Sequence, residues 1–246
     1  MYADRLVFQD WLARTDSPEA RKIYQSIVTK SKQHLDRFLA HPDQPDYSQI
    51  FFMTPGFARE LDSLSALALS DEESRIIASM KQSVDIYRTQ SHRKRVQLIK
   101  HQLMADYALW AGKRTLFKYG ANHLARGESF LTVHDIGNLV ANIAEARYEK
   151  SFHVMVMGES GSQSAPFRGF PDSPIEPDGF YMKHLQPFFS LTEGAEWAVF
   201  DLVPLRRAYE QGELAIDDQN LIRSLKGYDA LVLIPAVTPA AFPEYP

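Results

Sequence analysis

The apolar residues in the first part of the chain are spaced as they are in α-helices. Between residues 17 and 39 they recur every three or four positions, so that they share one face of a helix. Ser17 is suited to cap the first turn, and Pro18 to occupy the first helical position, where its missing N–H has no helical partner to lose. The same periodicity predicts a second, shorter helix over 55–69.

A longer helical segment follows, and it completes a helical region over 1–112. Ser70 is a good N-cap, the acids of "DEES" favour a first helical turn, and Gly112 provides a stop. Because the segment is long for a single helix, we expect a break near residues 89–91.

Beyond residue 113 the pattern changes to short apolar runs separated by polar or amphipathic segments. An amphipathic helix is predicted within 133–150, and two shorter helical stretches, "PLRRAYEQGEL" and "QNLIRSL", are predicted nearer the end. Short apolar runs bounded by turn residues predict buried strands. Such runs are "TLFKYG" at 115–120, "FHVMVMG" at 152–158, "WAVFDLV" at 197–203 and "ALVLIPA" at 230–236.

The first two predicted strands enclose the amphipathic helix, an order typical of a βαβ unit with a right-handed crossover. The predicted fold class is therefore α/β, with a mainly parallel sheet in residues 113–246 and a large helical region in residues 1–112. We expect both to form one domain over 1–246. The stretch 158–187 is rich in Gly, Ser and Pro, and we expect it to be a long surface excursion.

Composition and charge narrow the classes of function. The 246 residues include no cysteine, which excludes disulfides, thiolate zinc sites and a cysteine nucleophile. A formal net charge of −4 gives no positive field for nucleic acid, so the expected partner is a small molecule. No apolar run is long enough for a membrane span, and the acidic N-terminal segment does not resemble a signal peptide. These features predict a cytoplasmic protein.

The best candidate for chemistry is a histidine on a loop bounded by glycines. In "FKYGANHLARG" at 117–127, His123 follows a predicted strand and lies between Gly120 and Gly127. Loops at the carboxyl ends of strands collect functional groups, and we expect both glycines to allow backbone conformations closed to other residues. A histidine there can act as a general base or a metal ligand, or it can simply bond to the backbone.

Polar residues near this loop are further candidates. Asp135 can orient the imidazole of His123 or cap the helix that begins beside it, and capping is the favoured interpretation. No H-E-x-x-H motif, phosphate loop or dinucleotide fingerprint is present, and no metal ligand is assigned. The predicted substrate-binding residues are Gly120, Asn122, Arg126, Tyr119 and Glu159.

Short motifs also give the chain a family resemblance. Arg95 and Gln102 form the pattern "R-x-x-x-x-x-x-Q" in a predicted helix upstream of "KYGANHLARG". This arrangement resembles the C-terminal half of the erythromycin esterase-like proteins and, more broadly, the ChaN/TraB/TIKI superfamily with its paired G-x-x-H motifs. Gly120 and His123 match the second of these motifs, and Arg95 matches the arginine of the preceding helix. The resemblance covers roughly residues 85–240.

The resemblance implies a hydrolase that acts on an ester or related acyl bond through a histidine-activated water. His123 and Arg95 would be catalytic, with the guanidinium stabilising an anionic intermediate. The chain departs from the family pattern, because no G-E-x-x-H segment precedes residue 85 and the position three residues before His123 is Gly120 rather than a histidine. An incomplete or inactive enzyme, or a partial domain, is therefore an alternative.

The ChaN branch implies a second alternative, a module that binds haem or another small ligand without catalysis. Tyr119 and His123 would then be the candidate iron ligands. A divalent metal or haem is implied by the resemblance alone, so the cofactor is left open. Strands missing from the sheet would leave an exposed edge, which is expected to favour a homodimer.

Overall fold

The computed structural model describes residues 2–40, 50–164, 171–192 and 196–241. Contacts between Cα atoms divide the chain into two compact units, with the boundary between Leu98 and Ile99. The boundary falls inside a helix rather than at residue 112. The prediction of one domain over 1–246 stays a prediction.

The N-terminal region is helical, as its periodicity predicts. A short 3₁₀ turn, Phe51–Met53, precedes the third of its helices. Within the described residues the helices are α1 (Tyr2–Arg14), α2 (Pro18–Leu39), α3 (Pro55–Ser65), α4 (Asp71–Thr89) and α5 (His92–Ala105).

The ends of these helices confirm the predicted caps. The Ser17 hydroxyl accepts the N–H of Ala20 at 3.2 Å, and Ser70 forms a reciprocal capping box with Glu73. Gln90 has a left-handed conformation (φ 51°) that ends α4 and separates it from α5. The predicted break near residues 89–91 is therefore confirmed.

Aromatic rings form much of the core of the N-terminal unit. Phe8 lies 5.4 Å from Trp11 and 5.8 Å from Tyr24, measured between ring centroids, and it meets Phe57 edge-on. All four rings are at least 96% buried. The Tyr24 hydroxyl donates to a carboxylate oxygen of Glu73 at 2.9 Å, which ties α2 to the first turn of α4.

The C-terminal unit combines helices with short strands. Two 3₁₀ turns, Ala121–His123 and Lys183–Leu185, accompany them. The helices are α6 (Tyr107–Trp110), α7 (Ile136–Ala146), α8 (Gln186–Phe189), α9 (Val203–Glu210) and α10 (Gln219–Gly227). The strands are β1 (Val154–Gly158), β2 (Ser162–Gln163), β3 (Ser173–Pro174), β4 (Ala198–Asp201) and β5 (Ala230–Ile234).

The three-stranded sheet has the order β1-β5-β4. β1 and β5 are parallel, with Val154 opposite Ala230, whereas β4 and β5 are antiparallel, with Ala198 opposite Leu233. The small β2–β3 pair is also antiparallel. The coarse α/β prediction is confirmed, but a mainly parallel sheet is not supported, because one of the two pairings in the sheet runs the other way.

The predicted strand "TLFKYG" is wrong. Residues 115–120 pair with no other segment of the described chain, and Leu116 is 91% exposed. A strand is stable only when a neighbour accepts and donates its backbone hydrogen bonds, and no neighbour is present here. The helix α7 therefore connects a loop, rather than a strand, to β1.

The sheet packs one face against a core that includes part of the predicted surface excursion. Leu231 and Leu233 of β5 are at most 1% exposed and belong to this core. Leu185 belongs to this core and Met182 is buried nearby in the chain, so the last part of 158–187 is a packed segment rather than a surface loop, and residues 165–170 lie outside the described ranges. None of the helices in the described ranges is long and apolar enough to cross a membrane.

Candidate functional site

His123 forms a buried pair with a carboxylate. Its Nδ1 lies 2.8 Å from Oδ2 of Asp135. The Asp135 side chain is fully buried, and the imidazole is 16% exposed. An ionised carboxylate can only accept hydrogen bonds, so this pairing favours the tautomer of His123 that carries its proton on Nδ1.

Asp135 performs both of the roles that its sequence position suggested. Its other oxygen, Oδ1, accepts the N–H of Ile136 at 2.7 Å at the start of α7. One carboxylate thus caps the helix and orients the imidazole of His123. The helix backbone fixes the carboxylate, and the carboxylate in turn fixes the ring.

A glycine allows α7 to approach the His123 loop closely enough for this contact. A Cβ atom at Gly137 would lie 2.2 Å from the carbonyl carbon and oxygen of Leu124. The loop is also held from its other side, where the N–H of Arg126 donates to the carbonyl of Gly227 at 2.9 Å. The close packing of these backbones sets the distance between His123 and Asp135.

The two glycines at the ends of the loop differ in their backbone dihedral angles. Gly127 has a positive φ of 82°, as expected for a position that requires glycine. Gly120 has φ −59° and ψ 147°, and a Cβ atom there would meet only the ring of His123, at 3.8 Å. The expectation that Gly120 needs a special backbone conformation is therefore wrong, because its dihedral angles are open to any residue.

The buried Tyr228 side chain holds the His123 loop through a hydrogen bond. Its side chain is 2% exposed, and its hydroxyl donates to the carbonyl of Ala121. Burial raises its pKa, and the negative charge of Asp135 raises that pKa further. The phenol therefore stays protonated and donates to the 3₁₀ turn that carries His123.

A small pocket, part of it open to solvent, lies beside this turn. Ala121 and Asn122, which directly precede His123, contribute to its wall, as do Met155 and Met157 of β1. The predicted substrate contact Asn122 is thus placed on a pocket. His123 itself is not among the residues that line it.

The pocket contains a histidine that the sequence analysis did not single out. His184 is 7% exposed, and its Nε2 lies 3.0 Å from the hydroxyl oxygen of Ser224 on α10. Its Nδ1 is buried and has no hydrogen-bond partner in the described part of the chain. Burial lowers the pKa of His184, although the charge of Asp218 opposes that shift. The apolar residues of "KHLQPFF" were the available signal that this stretch is buried.

The remaining predicted residues have other surroundings. Arg126 pairs with Asp229, with Nη2 2.8 Å from Oδ2. The carboxylate of Glu159 accepts the hydroxyl of Thr192. Tyr119 is 40% exposed. Their roles in substrate binding stay predictions.

Arg95 lies on α5 and is exposed. It belongs to the N-terminal unit, whereas His123 belongs to the C-terminal unit. Its catalytic role stays a prediction.

The donor set does not fit a metal held by three or more side chains. Among the described residues, no group of three His, Asp or Glu side chains comes together as such a site requires. The described contact of the His123 imidazole is with one carboxylate, that of Asp135.

Comparisons with protein-family models, curated proteins and solved structures found no match for this chain. The resemblance to the erythromycin esterase-like proteins accordingly rests on the short motifs around Arg95 and His123.

Proposed function

We propose that the protein is a hydrolase of an ester or related acyl bond, in which His123 activates a water molecule. One observation carries the proposal: the imidazole of His123 is held at Nδ1 by a fully buried carboxylate that is itself fixed at a helix start. Histidine oriented in this way is a recurrent general base, because the carboxylate fixes its tautomer and stabilises the imidazolium that forms.

The proposed steps use this chain's own groups. Nε2 of His123 takes a proton from water as the water oxygen attacks the acyl carbon. The carboxylate of Asp135 stabilises the positive charge on the ring, which then gives its proton to the leaving oxygen as the acyl bond breaks. Asn122 is next to His123 in the chain and on the pocket wall, and in this proposal it donates its amide N–H to the developing oxyanion.

A panel of p-nitrophenyl esters tests the proposal, with release of nitrophenolate as the readout. We expect turnover by the full chain and its loss in His123→Ala. His101→Ala is the matched control, since this histidine is exposed on α5 and should be replaceable without effect. Equal rates in His123→Ala and the unchanged protein would contradict the proposal.

The haem-binding alternative rests on the resemblance, with Tyr119 and His123 as the ligands to test. A Soret band that develops on titration with haem, and that is lost in His123→Ala, would favour it. If the protein hydrolyses none of the esters and shows such a Soret band, the proposal of a haem-binding module would replace the proposal of a hydrolase.

A further inference from the structure

We propose that the pocket beside His123 binds a small, uncharged molecule that has an apolar or aromatic body and a hydroxyl group. The hydroxyl would bond to the His184–Ser224 pair. This inference rests on the proposed function only where it identifies the bound molecule as a substrate. A binding measurement tests the site without any measurement of hydrolysis.

The walls of the pocket favour an apolar body. Met155 and Met157 present flexible thioether side chains from β1, and Phe130 and Tyr181 present aromatic rings. The ring centroids of Phe130 and Tyr181 lie 5.9 Å apart. Methionine and aromatic side chains adapt to flat, apolar ligands and make favourable sulfur–aromatic contacts.

The charged residues of the pocket are already paired with each other. Nη2 of Arg223 lies 2.8 Å from Oε2 of Glu128, and Nε of the same arginine lies 3.0 Å from that oxygen. The pair offers no net charge to a ligand. An uncharged molecule therefore suits the pocket better than a carboxylate, a phosphate or an amine.

The polar end of the pocket is the His184–Ser224 pair. Nδ1 of His184 has no hydrogen-bond partner within the described chain, and a buried polar atom without a partner destabilises the fold. The atom is shielded from solvent in the unliganded fold, so a small rotation of the ring would have to accompany binding. Nδ1 donates in one tautomer and accepts in the other, and a ligand hydroxyl, which does both, matches either.

Titration with phenol and with toluene tests this assignment, because the two probes share an aromatic body and differ in the hydroxyl. We expect saturable binding of phenol that is about tenfold tighter than that of toluene, as one added hydrogen bond would give. Side-chain ¹⁵N resonances of His184 should shift with phenol and not with toluene. Equal affinities in the unchanged protein, or the absence of saturable phenol binding, would overturn the inference.

Variants separate this inference from the hydrolase proposal. His184→Phe combined with Ser224→Ala removes both polar groups and should abolish the preference for phenol, whereas His101→Phe should not. Phenol binding should persist in His123→Ala. A protein that binds phenol and hydrolyses no ester would refute the hydrolase proposal and support this binding site. A protein that hydrolyses esters and does not bind phenol would support the hydrolase proposal and refute this binding site.

A different observation supports a second inference, which concerns the other face of the three-stranded sheet. In the register of the sheet, Val156, Val232 and Val199 form one row across β1, β5 and β4. Val156 and Val199 are 52% and 69% exposed. Phe152 and Trp197, just outside the strands, continue the same alternation and are 73% and 68% exposed.

We infer that this face contacts a second copy of the chain. Together with Val154, its large side chains expose roughly 600 Å² of apolar surface, which is at the upper end for a monomer. That area is most of the ~800 Å² that each partner of a standard interface buries. Among the residues of β1, β5 and β4 that alternate onto this face, the one carboxylate is that of Asp201 at the end of β4, so two copies can meet with apolar side chains against apolar side chains.

Sedimentation velocity over a range of concentrations tests the second inference. We expect a dimer whose dissociation constant rises at least about tenfold in Val199→Lys, because burying the lysine charge against the apolar side chains of the partner costs free energy. Leu116→Lys is the matched control, since that leucine is exposed outside the sheet. A monomer at every concentration up to about 0.1 mM, or a dimer that Val199→Lys leaves intact, would contradict the inference.

Discussion

Asp229 is the residue that joins the candidate site to the sheet. Its carboxylate is 6% exposed and accepts hydrogen bonds from Arg126, Arg206 and the backbone N–H of His153. Burial alone would raise its pKa, but these hydrogen bonds outweigh burial and lower the pKa to about 2. The charge of Asp229 therefore fixes the loop after His123 against the start of β5.

Removing this charge should destabilise the C-terminal unit. Asp229→Asn removes the negative charge that balances the two arginines. We expect the free energy of unfolding to fall by about 3 kcal/mol. Urea denaturation measures the change, with Asp217→Asn, an exposed carboxylate, as the control. Equal free energies of unfolding in the two variants would show that the ion pairs between Asp229 and the arginines do not stabilise the fold.

The same carboxylate predicts an acid transition. The pKa of Asp229 is lower in the folded chain than in the unfolded chain, where an aspartate titrates near ~3.9, so its contribution to stability is present above about pH 4. That contribution is lost as the pH falls from about 4 towards 2. Denaturation at pH 5 and at pH 3 should show a smaller loss for Asp229→Asn than for the unchanged protein, and equal losses would contradict the assignment.

The approach of α7 to the His123 loop depends on Gly137. In Gly137→Ala the new Cβ atom would meet the Leu124 backbone at 2.2 Å, so the helix start must move away and take Asp135 with it. We expect loss of stability by about 2 kcal/mol or more and loss of the His123–Asp135 contact, which the imidazole ¹⁵N shifts report.

Gly120→Ala is the matched control for this change. At φ −59° the added methyl group meets no backbone, and restricting the unfolded chain should leave the stability equal or slightly higher. A similar loss of stability in both variants would show that the close approach of α7 is not what distinguishes Gly137.

Local signals account for the elements that the sequence predicts correctly. The caps at Ser17 and Ser70 depend on side chains within three residues of the helix start, so the sequence contains them in full. Strands need a partner that is distant in sequence. For "TLFKYG" the apolar run is present, but no segment in the described part of the chain pairs with it, whereas β1 and β5 pair although more than seventy residues separate them.

The candidate site was predictable to the extent that it is local. His123 and Asp135 are twelve residues apart, and both were singled out from the sequence. Their distance depends on the packing allowed by Gly137, which no pattern of apolar residues encodes. His184 and Ser224 are forty residues apart and come together only through the packing of the core, so their pairing could not be predicted.

At the scale of the whole molecule, the helical region and the sheet region were predictable from the change in apolar spacing near residue 113. The direction of β4 was not, because its connections to the neighbouring strands permit either orientation. The sheet places the carboxyl end of β1 next to the pocket, through Met157, whereas the predicted strand before His123 is not formed.

The central claim is that the buried carboxylate of Asp135 makes His123 a base, and the turnover number of Asp135→Asn tests it most directly. The amide oxygen can still cap α7, so the fold should persist, as near-ultraviolet circular dichroism would show. We expect kcat on the best ester substrate to fall by about 100-fold or more with little change in KM. Asp201→Asn, which alters an exposed carboxylate that accepts the N–H of Val203, should leave kcat unchanged. A folded Asp135→Asn protein with full kcat would contradict the account.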